Sequence, residues 1–250
     1  MKTYQHAEEM PAALAEAVLA WTLSVADTKH RMGIQFSRWV TGTPALEAAV
    51  GSAAITQDEL GHARSLYGLL RHFPHAPEAI GAENDLEARE VYYAPAALQP
   101  AWDSWLQVVA INVTLDRALQ VAIAATADSA FQPLAGRTAK ILQEEQFHRV
   151  FGDEWLVRLM ERGNGMRGRL ATAVSWAYNI TSTWLGPNDD AITNTLYAAG
   201  VLNADAATLR QRWLAEVEPV LAKCGLVVAA EVQGWEGWNG RFRHKEQLSS

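Results

Sequence analysis

With 49% hydrophobic and 20% charged residues, the 250-residue chain has enough apolar side chains for one sizeable core or two small ones. Its net charge of −7 argues against nucleic acid as the main partner, because phosphate binding needs a basic surface, and its single cysteine, Cys224, excludes an internal disulfide. The opening "MKTYQHAEEMPAALAEA" is acidic where a signal peptide is basic, and no apolar run approaches the ~18 residues of a membrane span, so the expectation is a cytoplasmic chain with no membrane segment.

Apolar residues recur at helical spacing almost throughout, and no segment alternates cleanly as a strand would. A first helix is expected after Met10-Pro11, since proline is welcome in a first turn, running to about Val40. "TGTP" breaks it, and a second helix runs from Pro44 to about Phe73. Residues 74–98 read as a crossover loop with one short helix around Leu86 to Tyr92. A third helix covers about Ala101 to Thr126, and a fourth about Pro133 to Glu161, stopped by "RGNG". A fifth, Met166 to Leu185, ends at "GPNDD". Two more, around Ala191–Ala199 and Ala204–Lys223, precede a Trp/Gly-rich tail.

Four long helices joined by short, long and short connections predict an all-α, ferritin-like four-helix bundle with additional C-terminal helices. With no linker or repeat visible, one domain over residues 1–250 is expected: a core bundle at about 11–161, accessory helices at about 166–224 and a tail at 225–250.

Positions three and four apart share a helix face. Helix two gives the row Ser52, Ile55, Glu59, His62, Leu66, Leu69, Phe73, and helix four gives Thr138, Ile141, Glu145, His148, Gly152, Trp155, Leu159. Helix three gives Trp105, Val109, Asn112, Asp116, Leu119, Ile123. Each row is mostly apolar, with carboxylates or imidazoles placed where a core residue belongs. Burying a carboxylate costs several kcal/mol unless a cation offsets it. Glu-x-x-His on each of two helices, with single carboxylates from the other two, is how bundles of this kind hold two metal ions. Oxygen and imidazole donors suit iron. Either Glu-x-x-His pair alone occurs readily by chance, and a lone buried histidine is more often a hydrogen-bonded core residue. Two pairs on separate apolar stripes, with Asp116 on a third, point to a metal site of Glu59, His62, Asp116, Glu145 and His148.

Helix one should supply the sixth donor, yet its inward row is Val18, Thr22, Val25, Lys29, Met32, Phe36. At about 100° per residue Lys29 falls within the stripe and Asp27 on the opposite face; Glu16 also points outward. An ammonium there adds positive charge without coordinating anything. Lys29 therefore modifies the site: it takes the volume of one metal and ion-pairs with Glu59, Glu145 or Asp116, or it snorkels to water. The iron content expected ranges from two ions through one to none.

Other candidates are weaker. His72 and His75 in "RHFPHAPE" sit at a helix end among prolines, and "GWEGWNGRF" reads as a cap on the core or on a partner subunit, with stacking on a ligand as the alternative. Lys140, Arg149 and Arg158 are available for an anionic ligand, but as helix-surface cations they read as ordinary surface pairs.

At "TQDELGHAR", "KILQEEQFHRVFG" and "WLGPNDD" the chain resembles the ferritin-like subunits of the bacterial multicomponent phenylacetyl-CoA monooxygenase, the ring-1,2-epoxidase, over about Trp39 to Val228. By that resemblance Glu59, His62, Asp116, Glu145 and His148 fall on iron-ligand positions, with Glu59, Asp116 and Glu145 as catalytic carboxylates. Lys29 falls where the family has a helix-one glutamate. The chain length, "LRQRWLAEVEPVL" and "NGRFRHKEQL" are similar to the family's non-catalytic partner subunit instead. The resemblance implies phenylacetate catabolism: a di-iron centre and O₂ epoxidise the ring of an aromatic acyl-CoA, with electrons from an NADPH-dependent reductase, in an oligomer with related ferritin-like subunits. Two roles follow, an oxygenase component or a scaffold with a relic site. Nothing in the sequence favours an iron-storage shell.

Overall fold

The apolar periodicities become helices close to where the sequence places them. The computed structural model describes residues 2–77, 80, 89, 91–226 and 234–245. In it α1 spans Ala12–Trp39, α2 Leu46–Leu70, α3 Trp105–Ala124 and α4 Gln132–Met160. These four helices form the core of a ferritin-like bundle. Outside it pack α5 (Asn164–Leu185), α6 (Ala191–Ala198) and α7 (Ala206–Lys223): α5 and α7 against α3, and α6 against α1. A small antiparallel hairpin, β1 (Trp238–Asn239) with β2 (His244–Lys245), pairs Trp238 with Lys245.

Side-chain pairs fix the directions of the helices. Arg158 reaches Glu47 and Arg137 reaches the Ser65 carbonyl, so α2 and α4 run antiparallel. The hydroxyls of Thr126 and Thr138 meet at 2.6 Å, so α3 and α4 also run antiparallel, and α2 and α3 must be parallel. Joining parallel neighbours requires a return along the bundle, which is the work of the long connection after α2. The short helix expected around Leu86 to Tyr92 lies mostly outside the described residues. Its described end, Val91–Tyr92, is not helical, and a single 3₁₀ turn follows at Ala96–Leu98.

Helix starts shift by a few residues. Ala45 is extended (φ −158°), so α2 begins at Leu46 rather than Pro44. Gln107 Oε1 accepts the backbone N–H groups of Asp103 (2.8 Å) and Ser104 (3.2 Å), which sets the start of α3 at Trp105 instead of Ala101. Among the described residues, α3 is long and apolar enough to cross a membrane, but 94% of its apolar window is buried at the centre of the bundle.

Asp27 lies on the face of α1 opposite Lys29, as its angle requires, and is nevertheless 0% exposed. The back of α1 is covered too, because α6 and the crossover chain pack over it. There Asp27 accepts hydrogen bonds from Tyr67 Oη (2.6 Å), the Tyr93 N–H (2.7 Å) and the Arg89 guanidinium. Glu16 is exposed, as its angle requires. Close approach of α1 to α2 depends on Gly33, where an added Cβ would lie 3.0 Å from Leu60 and 3.2 Å from the Glu59 Cβ.

Candidate metal centre

Lys29 on α1, Glu59 and His62 on α2, Asp116 on α3, and Glu145 and His148 on α4 come to one level of the bundle, each at most 2% exposed. Glu59, Asp116, Glu145 and His148 each offer a ligand atom, all within 4.8 Å of one another. This buried group has the donor chemistry to hold a metal ion. His62 stands beside it, with Nε2 2.8 Å from Glu144 Oε2 and Nδ1 3.3 Å from Glu145 Oε1.

The Lys29 ammonium occupies the centre of the three carboxylates. Its Nζ donates to Glu59 Oε1 (2.9 Å) and Oε2 (3.2 Å), Asp116 Oδ1 (2.9 Å) and Glu145 Oε1 (2.5 Å). At 0% exposure it does not snorkel to water. The opposite side of the same carboxylates faces His148: Nδ1 lies 3.1 Å from Asp116 Oδ2, 3.3 Å from Glu145 Oε2 and 3.3 Å from Glu59 Oε1. Asp116 and Glu145 thus turn one oxygen to the lysine and the other to the imidazole.

Local backbone helps to aim the acids. Asn112–Asp116 forms a π-helical turn within α3, a distortion often found at functional sites. Gly152 leaves room for Asn112 against α4: a Cβ there would come 1.9 Å from Asn112 Oδ1, while Asn112 Nδ2 lies 3.4 Å from Asp116 Oδ2.

Sequence reasoning missed two outer acids. Asp58 Oδ2 lies 3.3 Å from His148 Nε2, and Glu144 Oε2 faces His62, so the acid preceding each cluster glutamate reaches across to the histidine of the other helix. The signal was present as "DELGH" and "EEQFH", an acid immediately before each Glu-x-x-His. Both outer acids are partly exposed and connect the cluster to the α2–α4 surface. On another side, a cleft of about 250 Å³ between α3, α4 and α7 reaches Glu145 and is lined by Arg117, Gln120, Arg149 and Glu216.

The ionisation states follow from burial opposed by neighbouring charges. Burial alone would lower the Lys29 pKa, but Asp116, Glu145 and Glu59 outweigh it and hold the ammonium well above its ordinary range. Burial pushes Glu59 up to about 7, against the pull of Lys29. Burial would also raise Asp116 and Glu145, yet Lys29 and His148 bring Asp116 below its usual value and Glu145 well below. His148 and His62 are raised: burial works against their charged forms, and hydrogen bonds to the surrounding carboxylates overcome it.

The donor set could hold a metal ion on the side that faces His148. On the His148 side, Glu145 Oε2 is buried without a hydrogen bond, next to Asp116 Oδ2, Glu59 Oε1 and the imidazole Nδ1. On the other side helix one contributes an ammonium, which has three donor protons and no lone pair to give a metal.

The remaining candidates are structural. His72 and His75 are exposed at the end of α2. Arg149 pairs with Glu216, Arg158 with Glu47 at 3.0 Å and Lys140 with Glu144 at 3.8 Å, all as surface cations. In the tail, Trp238 Nε1 donates to the Thr183 carbonyl (2.9 Å), and the Arg243 guanidinium donates to the Trp184 (2.6 Å) and Leu185 (2.8 Å) carbonyls. The tail thus caps the C-terminal end of α5, as its composition suggests.

A ferritin-like bundle with a buried Glu/Asp/Glu/His cluster at its centre places the chain in the class of carboxylate bundles, whose inward acids and imidazoles could hold a metal ion. The chain belongs to the phenylacetic acid catabolic protein family, whose model matches residues 1–250. It is similar to one of the subunits of the 1,2-phenylacetyl-CoA epoxidase of Escherichia coli (strain K12), at 26% identity over 210 residues covering 83% of this chain and 67% of that relative.

Proposed function

We propose that this chain is a ferritin-like subunit of a multicomponent monooxygenase that epoxidises the ring of an aromatic acyl-CoA of the phenylacetyl-CoA type, working in the cytoplasm with related subunits and a reductase. The observation that carries the reading is the convergence of Glu59, Asp116, Glu145 and His148 at a dry point inside a family member's bundle. The similarity to an epoxidase component supports an oxygenase role over a scaffold with a relic site.

In this reading iron is held by Glu59, Asp116, Glu145 and His148, and when bound it supplies the redox centre at which O₂ is reduced. The overall reaction takes one oxygen atom of O₂ into the ring and releases the other as water, with two electrons from NADPH. The chain's own residues prepare the site. Asp116 and Glu145 present an oxygen to each side of the cluster, and Asp58 holds the outer nitrogen of His148, which orients its ring. Lys29 balances the carboxylates without coordinating. The apolar layers formed by Val25, Ile55 and Ile141 keep water from the centre. The cleft beside Glu145 gives a path from solvent.

The test is reconstitution with the related subunits and reductase, supplied with phenylacetyl-CoA, NADPH and ¹⁸O₂. Mass spectrometry is expected to find one labelled oxygen in the product, and Glu145→Ala to abolish it while the subunits still co-purify. Undiminished product with Glu145→Ala overturns the oxygenase-component role.

A further inference from the structure

We infer that Lys29 is the built-in cation of one half of a two-cation site, so that the chain holds a single divalent metal ion beside its ammonium and not a metal pair. The inference rests on the oxygenase reading for the kind of ion and deepens it by fixing how many the chain can carry.

The carboxylate oxygens surround two positions, with Glu59 Oε1 shared between them. Glu59 Oε1 and Oε2, Asp116 Oδ1 and Glu145 Oε1 surround Lys29 Nζ at 2.5–3.2 Å. Asp116 Oδ2, Glu145 Oε2 and Glu59 Oε1 surround His148 Nδ1 at 3.1–3.3 Å. An ammonium has three protons, and three carboxylates meet it, so the Lys29 ammonium itself is satisfied by hydrogen bonds alone. On the His148 side, Glu145 Oε2 is buried without a well-aligned hydrogen bond, its neighbour being His148 Nδ1 at 3.3 Å, a costly condition that an ion taking the place of the Nδ1 proton relieves. The oxygen and imidazole donors on this side suit a divalent transition metal. A second ion would have to displace Nζ, and the lysine has no exit, since Lys29 is 0% exposed with Val25 and Met32 buried on the same face. His62 Nδ1 lies 3.3 Å from Glu145 Oε1, the oxygen that Lys29 holds, and is buried without a hydrogen bond, while its Nε2 is taken by Glu144 Oε2, so this imidazole faces the lysine half and stands apart from the position beside His148.

The experiment is native mass spectrometry of the full chain, stripped with a chelator and titrated with Co(II) alone. Wild type is expected to saturate at one cobalt per chain, Lys29→Glu at two and His148→Ala at none. Two cobalts in wild type overturn the inference, as does none at saturation. A Lys29→Glu chain with native far-UV circular dichroism that stops at one cobalt also overturns it. If Lys29→Glu does not fold, the wild-type and His148→Ala counts decide alone, and one cobalt retained by His148→Ala contradicts the assignment. One cobalt per chain, with no turnover by the iron-loaded chain in the reconstituted system, would leave Lys29 in its role and remove the oxygenase reading. Two cobalts in a chain that supports turnover would do the reverse.

Discussion

Lys29 and Asp27 stand two residues apart on α1, both 0% exposed and both neutralised by groups from several elements. Lys29 faces the bundle centre and meets Glu59, Asp116 and Glu145 from three facing helices. Asp27 faces the back and meets Tyr67 from α2, with Arg89 and the Tyr93 N–H from the crossover chain. A buried charge survives in either place because its partners are held by other elements. At the centre they are set by helix register, and at the back by Tyr67 of α2 with Arg89 and Tyr93 of the connection. The centre concentrates charge at one level where a metal fits. The back spreads one carboxylate over three donors and leaves none of its oxygens open.

The comparison breaks most readily at Lys29. In metal-free protein, Lys29→Met leaves three buried carboxylates without their ammonium, and breaking a buried charge set of this kind costs about 3–5 kcal/mol. Urea denaturation should show that loss, with melting lowered on the order of 10 °C. Retention of wild-type stability would mean that the carboxylates do not depend on Lys29.

At the back the loss is smaller. Asp27→Asn keeps the shape but removes the charge facing Arg89, and is expected to cost about 1.5–3 kcal/mol. Because the crossover chain hangs on that carboxylate, limited proteolysis should cut the variant between α2 and α3 faster than wild type, whereas Lys29→Met should leave that rate less changed. Equal cutting of Asp27→Asn and wild type would detach the crossover from Asp27.

Gly152→Ala probes the centre without touching a charge. Its methyl meets Asn112 Oδ1, so overpacking of about 1–3 kcal/mol is expected, with fewer cobalt ions bound because Asn112 supports Asp116. Unchanged binding would remove Asn112 from the positioning of that acid.

pH adds a milder distinction. Glu59, raised from 4.5 to about 7, holds its proton more tightly when folded. Its contribution to stability is therefore complete below pH 4.5 and is lost as pH rises through about 7. His62 and His148, raised from 6.5, act in the same direction: their contribution is full below pH 6.5 and declines as pH rises toward their folded values. Melting of the metal-free chain should fall from about pH 5 to about pH 8. A melting temperature that rises over this interval contradicts the assigned shifts. The smallest effect belongs to the surface, where Arg158→Ala, removing the exposed pair with Glu47, should change stability by no more than about 0.5 kcal/mol in the same urea assay.

What could be read from the sequence follows the same division. Spacing at three and four residues located all four bundle helices and named Lys29 as the inward residue of α1, because a helix repeats its faces whatever surrounds it; of the five residues it assigned to one point, Glu59, Asp116, Glu145 and His148 meet there and His62 stands beside them. The angle put Asp27 on the correct face but did not reveal its burial, because the angle around a helix says which way a residue points and nothing about what covers it. Asp58 and Glu144 were overlooked although "DELGH" and "EEQFH" carry them, since they lie off the inward stripe and reach their histidines across the gap between helices. The π turn at Asn112–Asp116 leaves no mark on apolar spacing, because α3 is buried on every side.

Anomalous scattering from crystals of the wild-type chain grown with cobalt tests the central claim most directly. A single peak beside His148 Nδ1, with Lys29 Nζ still among Glu59, Asp116 and Glu145, is the predicted result. Two peaks between the carboxylates, with the lysine turned away, would contradict it.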